Sequence, residues 1–186
     1  MRITVKVGLL FAVIWMAIKM IFFYSGIVGY NVVPAVMLNI LCVLLAIAVG
    51  MYKHKRRTAE ETTLLADIKT GMTAGVPYAV IVSIFLFFYY SKIDTDYIPH
   101  RVAEITYEMK KRLDDPEELK RYRTENEDFE VMTKDEIYER MIQGPQNAIS
   151  AKSTMVLALL ALLLLATLNS IFIAIIYRKV LFKQAT

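Results

Sequence analysis

The 186-residue sequence has few of the residues from which most enzyme sites are built. Its one cysteine, Cys42, excludes a disulfide within the chain. Its two histidines, His54 and His100, lie in different segments, and no cluster of histidine and cysteine has the spacing of a metal site. A glycine-rich phosphate loop and a nucleophile elbow are also missing. We therefore expect a protein that is not an enzyme and that binds neither cofactor nor metal.

Long apolar runs are what the sequence has instead, and apolar residues make up 56% of it. Runs of about twenty residues are long enough to cross a hydrocarbon core of ~30 Å, and a helix satisfies their backbone hydrogen bonds in lipid. They predict an all-α, polytopic membrane protein with four transmembrane helices. The four runs are Val5–Tyr24, Val32–Tyr52, Met72–Tyr90 and Thr154–Tyr177.

The basic residues next to these runs predict the orientation. They cluster at three places, whereas residues 25–31 carry no charge. Because Lys and Arg are enriched in the cytoplasmic flanks of membrane helices, we expect both termini and the loop at residues 53–71 in the cytoplasm. The basic residues concerned are Arg2, Lys6, Lys53, Lys55, Arg56, Arg57, Arg178, Lys179 and Lys183.

A charged insert separates the third run from the fourth and lies outside in this orientation. Residues 91–152 contain 15 acidic and 11 basic side chains. The sequence thus divides into membrane helices at 1–90, a helical insert at 91–153, and a last membrane helix with a basic tail at 154–186. Since so short an insert buries only a marginal core, its apolar residues are expected to pack within the chain or against a partner.

One apolar stripe in the insert has the spacing of a helix face. Its members recur at intervals of four, three, four and four residues, which predicts one amphipathic helix. Packing within the chain is one interpretation of the stripe, and a partner-binding site is the other. The acidic stretch Glu125–Glu130 is the second candidate surface, although it is equally typical of a solvated loop. The stripe consists of Ile98, Val102, Ile105, Met109 and Leu113.

Capping residues predict several helix ends. The last insert helix should also end near Gly144-Pro145, because proline removes a helical hydrogen bond. Leu64, Leu65 and Ile68 give an apolar side to the segment after Thr58, which predicts a short separate helix lying on the membrane before the third run. The expected caps are Asn31, Asp96 and the Thr133-x-x-Glu136 capping box, and Asp115-Pro-Glu-Glu118 is expected to start another short helix.

A few polar residues lie inside the apolar runs. Lys19 is the one charged residue there, and three interpretations are open: its ammonium group reaches the interface, it pairs with Asp94 or Asp96, or it serves transport. Asn39, Asn169 and Ser170 are expected to hydrogen-bond across helices rather than coordinate an ion. The runs contain no Asp or Glu, which argues against a proton- or sodium-coupled carrier.

Small residues at every fourth position predict close helix packing. Gly71-x-x-x-Gly75 is one such pair, and Ala166 and Ser170 belong to a similar series in the fourth run. Pro77 is expected to kink the third helix.

The sequence resembles a bacterial membrane family known as domain of unknown function 4199. The resemblance covers nearly the whole chain and includes Lys69-x-Gly71, the Ile-Asp-x-Asp-Tyr segment at 93–97 and the Asn169-Ser170 pair. A proline is more usual where Thr95 stands. The resemblance implies a bacterial inner membrane with the insert in the periplasm, and it brings no activity or catalytic residues.

Three functions are compatible with these features. The first is a non-enzymatic membrane protein whose insert engages another protein or a second copy of the chain. The second is a small transporter or channel component that uses the polar residues of the membrane helices. A membrane enzyme ranks last, because catalytic groups are missing. Apart from the lipid bilayer and a protein partner, no partner is expected, and nucleic acid is excluded.

Overall fold

The computed structural model describes residues 2–27, 29–57 and 63–181. Within these ranges the chain is helical and contains no strand, which confirms the all-α prediction. Its contacts divide it into two compact units. The first contains the chain up to Phe87 together with the chain from Met155 onward, and the second is Phe88–Thr154.

Four helices are long and apolar enough to cross a membrane, as predicted. Large apolar side chains are exposed on their outer surfaces, including Leu10, Leu157 and Leu164, as expected of helices that a bilayer surrounds. Two of the spans end in a π-helical segment, Tyr89–Ile93 and Tyr177–Leu181 respectively. The four helices are α1 (Ile3–Ser25), α2 (Val33–Arg57), α3 (Leu64–Phe88) and α8 (Ala151–Ile176).

The turn between α1 and α2 follows from two local features. Gly26 takes a φ of 66°, and its backbone N–H donates to the carbonyl of Phe23, which closes α1. The side chain of Asn31 accepts a hydrogen bond from the backbone N–H of Val33 at 3.0 Å. The predicted Asn31 cap is therefore confirmed.

Helix α3 begins earlier than predicted. Leu64, Leu65 and Ile68 belong to its first turns, so the prediction of a separate short helix containing them is wrong. No proline or glycine stands between Leu64 and Gly71 to interrupt the helix, and propagation of an existing helix requires no new nucleus. Thr58, where that helix was expected to start, lies outside the described residues.

Glycines allow α3 to lie very close to two neighbours. A methyl group at Gly8 of α1 would stand 2.2 Å from the carbonyl oxygen of Ala74. A methyl group at Gly75 would stand 2.7 Å from the Cβ of Ala166 in α8. The predicted role of Gly75 in helix packing is confirmed, because lipid supplies no hydrophobic force between helices and close van der Waals contact takes its place.

The second unit contains four helices with two buried apolar anchors. Helix α4 packs against α7, and α5 against α6. Leu113 at the end of α4 and Ile137 in α7 are both fully buried. The helices are α4 (Tyr97–Leu113), α5 (Pro116–Glu125), α6 (Glu127–Glu130) and α7 (Lys134–Ala148).

A predicted helix start and a predicted capping box in this unit are confirmed, since α5 begins at Pro116. The Asp115 side chain accepts from the backbone N–H of Glu117 at 2.9 Å. Thr133 and Glu136 form the predicted capping box, each side chain accepting from the backbone of the other.

Of two other predictions for the unit, one is confirmed and one is wrong. Asp96 is the N-cap residue of α4, as predicted, although its side chain accepts no capping hydrogen bond there. Helix α7 continues through Pro145 to Ala148. Proline has no backbone N–H, so residue 145 donates no helical hydrogen bond, yet its carbonyl accepts from the N–H of Ile149 at 2.9 Å.

Candidate functional site

A buried carboxylate joins three helix ends of the first unit. The Asp67 side chain is only 3% exposed, and its Oδ2 accepts from the Arg178 Nε at 2.7 Å. The same oxygen lies 3.1 Å from the Nζ of Lys55. These three residues, which we call the Asp67 cluster, come from α3, the segment after α8, and α2. A buried carboxylate is stable in a protein when opposite charges compensate it, and here two cations do so.

Neighbouring contacts fix the same helix ends. The hydroxyl of Tyr177 donates to the carbonyl of Ala48 at 2.9 Å, which ties the residue before Arg178 to α2. The Arg56 guanidinium lies over the ring of Tyr52, 5.2 Å from its centroid. These contacts hold the helix ends that carry the cluster in a fixed arrangement.

Sequence reasoning missed this cluster. It began the third run at Met72 and placed Asp67 in a loop, whereas Asp67 lies inside the span Leu64–Ile93. The apolar runs themselves contain no Asp or Glu, and Asp67 lies before the third run, in the first turn of α3. The sequence held one signal for it, since Asp67 lies one helical turn before Gly71 of the predicted packing pair. In the structure α8 lies close to that position, where a methyl group at Gly71 would stand 2.7 Å from the Ser170 Oγ.

The polar residues predicted inside the membrane lie at separate places. Lys19 is only 8% exposed, so the protein covers most of its side chain. Asn39 bonds across helices, because its Oδ1 accepts from the Tyr78 hydroxyl at 2.5 Å. Ser170 donates to Ala166 of its own helix at 2.7 Å instead.

These groups do not converge on one site. Ser170 lies beside Gly71, whereas Asn39 meets Tyr78, two turns or about 10 Å further along α3. Among the described residues, the Nδ2 of Asn169 and the Oγ of Ser83 are buried without a hydrogen-bond partner.

The predicted apolar stripe on α4 is partly covered. Leu113 is only 1% exposed, and the other four members, Ile98, Val102, Ile105 and Met109, are half-buried. A partner would therefore reach Leu113 only if the unit opened, whereas the other four present part of their surface.

The acidic stretch is exposed. The charged residues of Glu125–Glu130 are all accessible, and Asp128 forms a long ion pair with Arg140 at 3.4 Å. Directly after the stretch, the Val131 side chain is 90% exposed. Glu125 pairs with Arg121 at 3.4 Å, whereas Glu127 and Glu130 form no ion pair among the described residues. An exposed apolar residue beside such acids is accessible to a partner, as a packed core residue is not.

Other charges of the second unit serve helix ends and surface pairs. The ammonium group of Lys134 donates to Asp114 and holds the pKa of that carboxyl below its usual range. The backbone N–H of Thr133 does the same for the pKa of Glu136. The described residues contain no group of three side chains able to hold a metal ion.

The Ile-Asp-x-Asp-Tyr segment has a structural role. The hydroxyl of Tyr89 donates to the Asp94 carboxylate at 3.2 Å, and the backbone N–H of Asp94 donates to the Tyr89 carbonyl at 2.9 Å. Tyr97 stacks on Tyr90 with ring centroids 4.7 Å apart. Burial raises the pKa of Tyr97, so its hydroxyl stays neutral. These contacts set the π-helical turn from which α4 starts.

Comparison with known proteins gives one match. A family model described as "Protein of unknown function (DUF4199)" matches residues 6–179. No curated protein and no solved structure matches the chain.

Proposed function

This chain belongs to the DUF4199 family, which has no assigned function, and we propose that it is a non-enzymatic protein that assembles with a protein partner through its second unit. The proposed location is the bacterial inner membrane, with both termini cytoplasmic and residues 91–153 periplasmic. The family resemblance supports the bacterial location. The basic residues at the ends of α2 and α8 support the orientation.

The exposed acidic surface at α6 carries the proposal. Glu127 and Glu130 are exposed on either side of the half-buried Phe129, and Val131 follows with most of its side chain in solvent. The unit as a whole carries more acid than base, so a partner with a basic face around a small apolar pocket complements it in charge and shape. The half-exposed residues of the α4 stripe extend the available apolar area.

Site-specific crosslinking tests this function. A photoreactive amino acid in place of Val131 should give one adduct of defined mass in native membranes. The double reversal Glu127→Lys with Glu130→Lys should abolish that adduct, because it inverts the charge of the surface. The matched reversal Glu108→Lys with Glu139→Lys should leave it unchanged, since both residues are exposed elsewhere on the unit.

The results separate the possible partners. An adduct with twice the mass of the chain would identify a second copy, and a different mass would identify another protein. An adduct that survives both reversals, or none at all, would contradict the acidic surface as the binding site. Deletion of residues 114–143 should likewise abolish association.

A small transporter or channel component is the second candidate. The observation that favours it is the buried, unbonded Oγ of Ser83 in α3, because unsatisfied polar atoms in lipid-embedded helices are costly and mark functional positions. Lys19→Leu and Ser83→Ala should then reduce flux or growth. The lipid-facing change Leu164→Ala serves as the control, and equal behaviour of all three would count against transport.

A further inference from the structure

The end of the first unit that holds the Asp67 cluster is strongly basic. Among the described residues of α2 from Tyr52, α3 to Lys69 and the segment after α8, Asp67 is the one acid. Its basic residues are Lys53, Lys55, Arg56, Arg57, Lys69, Arg178 and Lys179. Two of the apolar spans, Val33–Arg57 and Ala151–Lys179, end here, which puts these side chains at the depth of lipid headgroups.

The cluster places its acid inside and its cations outside. Asp67 is 3% exposed, while the side chains of Lys55 and Arg178 are 16% and 37% exposed. The carboxylate therefore holds the guanidinium of Arg178 by its inner side, and it fixes the direction in which Arg178 presents its Nη donors.

The guanidinium of Arg178 is suited to a second anion. It bonds Asp67 through Nε, and among the described residues no other acceptor bonds its Nη groups. A planar guanidinium presents its donors in a fixed fork that matches the oxygens of a phosphate. Holding that fork by Asp67 removes much of its freedom before an anion binds, which lowers the entropic cost of binding.

We propose that the Asp67 cluster binds the phosphate of an anionic phospholipid, with the Nη groups of Arg178 as its donors. The position at the ends of two apolar spans favours a lipid over a free phosphate. Arg56, held above the Tyr52 ring, and the exposed Lys179 add attraction without belonging to the site. Asp67 acts as a positioning residue.

A charge-neutral double variant gives the sharpest test. Asp67→Asn with Arg178→Gln removes one charge of each sign, so the net charge of the protein stays the same. The full chain is purified in neutral detergent, stripped of lipid and titrated with phosphatidylglycerol or phosphatidylcholine, and bound lipid is counted by native mass spectrometry. The double variant should bind phosphatidylglycerol at least about tenfold more weakly.

Two controls separate the site from general attraction. Lys179→Gln lowers the net charge but leaves the cluster intact, and should weaken binding about threefold or less. The double change Arg101→Gln with Glu104→Gln removes an exposed ion pair of the insert without altering net charge, and should have no effect. Equal losses for Lys179→Gln and the cluster variant would overturn the proposal.

Two further outcomes test whether the ligand is an anionic lipid. Phosphatidylcholine binding as tight as that of phosphatidylglycerol, or displacement of the lipid by millimolar inorganic phosphate, would overturn the assignment to an anionic lipid. Circular dichroism and gel filtration check that each variant is folded. If the double variant is not, Arg178→Lys replaces it, because it keeps the charge and loses the fork; wild-type affinity in Arg178→Lys would then refute the site.

Discussion

At the scale of single residues, Asp67 is the position with the largest structural consequence. One carboxylate oxygen contacts two cations from two other helical segments. The contribution of such a cluster to stability depends on whether one charged partner is removed or both are replaced. Breaking a buried ion pair costs more than replacing it with a neutral pair, because an uncompensated charge is left behind.

We expect Asp67→Ala to destabilise the chain by about 1–2 kcal/mol. The figure lies below that for a fully buried pair because Arg178 and Lys55 both reach the surface and gain solvation when released. Thermal unfolding in detergent measures the change. Lys179→Ala is the matched control, and Asp67→Asn with Arg178→Gln should be more stable than Asp67→Ala. Equal stability of Asp67→Ala and the control would contradict the role of the cluster.

Two carboxyls of the second unit predict how its stability depends on pH. The pKa values of Asp114 and Glu136 are lowered by donors that exist only in the folded chain. Their stabilisation is complete above the unfolded pKa values, near 4, and is lost as the pH falls through the lower folded values. The unit should therefore unfold more easily below about pH 4 than at pH 7.

Glu136→Gln isolates the contribution of one carboxyl. The variant should show a smaller loss of thermal stability between pH 7 and pH 3 than the unchanged chain, because its side chain no longer titrates. Glu139→Gln, on the exposed face of the same helix, serves as the control. The same loss in Glu136→Gln as in the unchanged chain would exclude the capping box as the cause.

At the scale of helices, glycine and alanine determine how closely α3 and α8 pack. Gly75 faces Ala166 at a distance that leaves no room for a second methyl group. Sequence spacing identified Gly71 and Gly75 as a pair but did not identify their neighbours. Many helix faces in lipid carry small residues, and their register against one another depends on the whole bundle.

Gly75→Ala should destabilise the chain by about 1–3 kcal/mol, because the new methyl group would stand 2.7 Å from the Cβ of Ala166. Adding Ala166→Gly should restore most of the loss. Thermal unfolding of both single variants and the double variant gives the coupling between the two positions. Simple additivity would show that the two residues do not meet.

At the scale of the whole molecule, orientation decides where the acidic surface and the lipid site act. With Cys42 replaced by alanine, single cysteines report which side of the membrane each segment occupies. A membrane-impermeant maleimide added to intact cells should label Glu117→Cys in the second unit and leave Lys53→Cys unlabelled. The reverse pattern would contradict the proposed topology, and permeabilised cells supply the control for reactivity.

The sequence by itself determined the class of protein, its four membrane helices and several helix ends. These features depend on local or one-dimensional properties: the length of an apolar run, and the short reach of the Asn31, Asp115 and Thr133 caps. Such properties need no knowledge of which helix lies beside which. The start of α3 was misplaced because the apolar run begins only after Asp67, whereas the helix already begins at Leu64.

Only the tertiary structure revealed the Asp67 cluster, the contact of Gly75 with Ala166, and the bond between Tyr78 and Asn39. Each of these contacts joins residues that are far apart in the chain. A charge can be buried only where residues of other helices compensate it. In sequence, Asp67 is one acid in a basic loop and Arg178 one cation of a tail. Packing puts them 2.7 Å apart, because the ends of α2, α3 and α8 meet at one place.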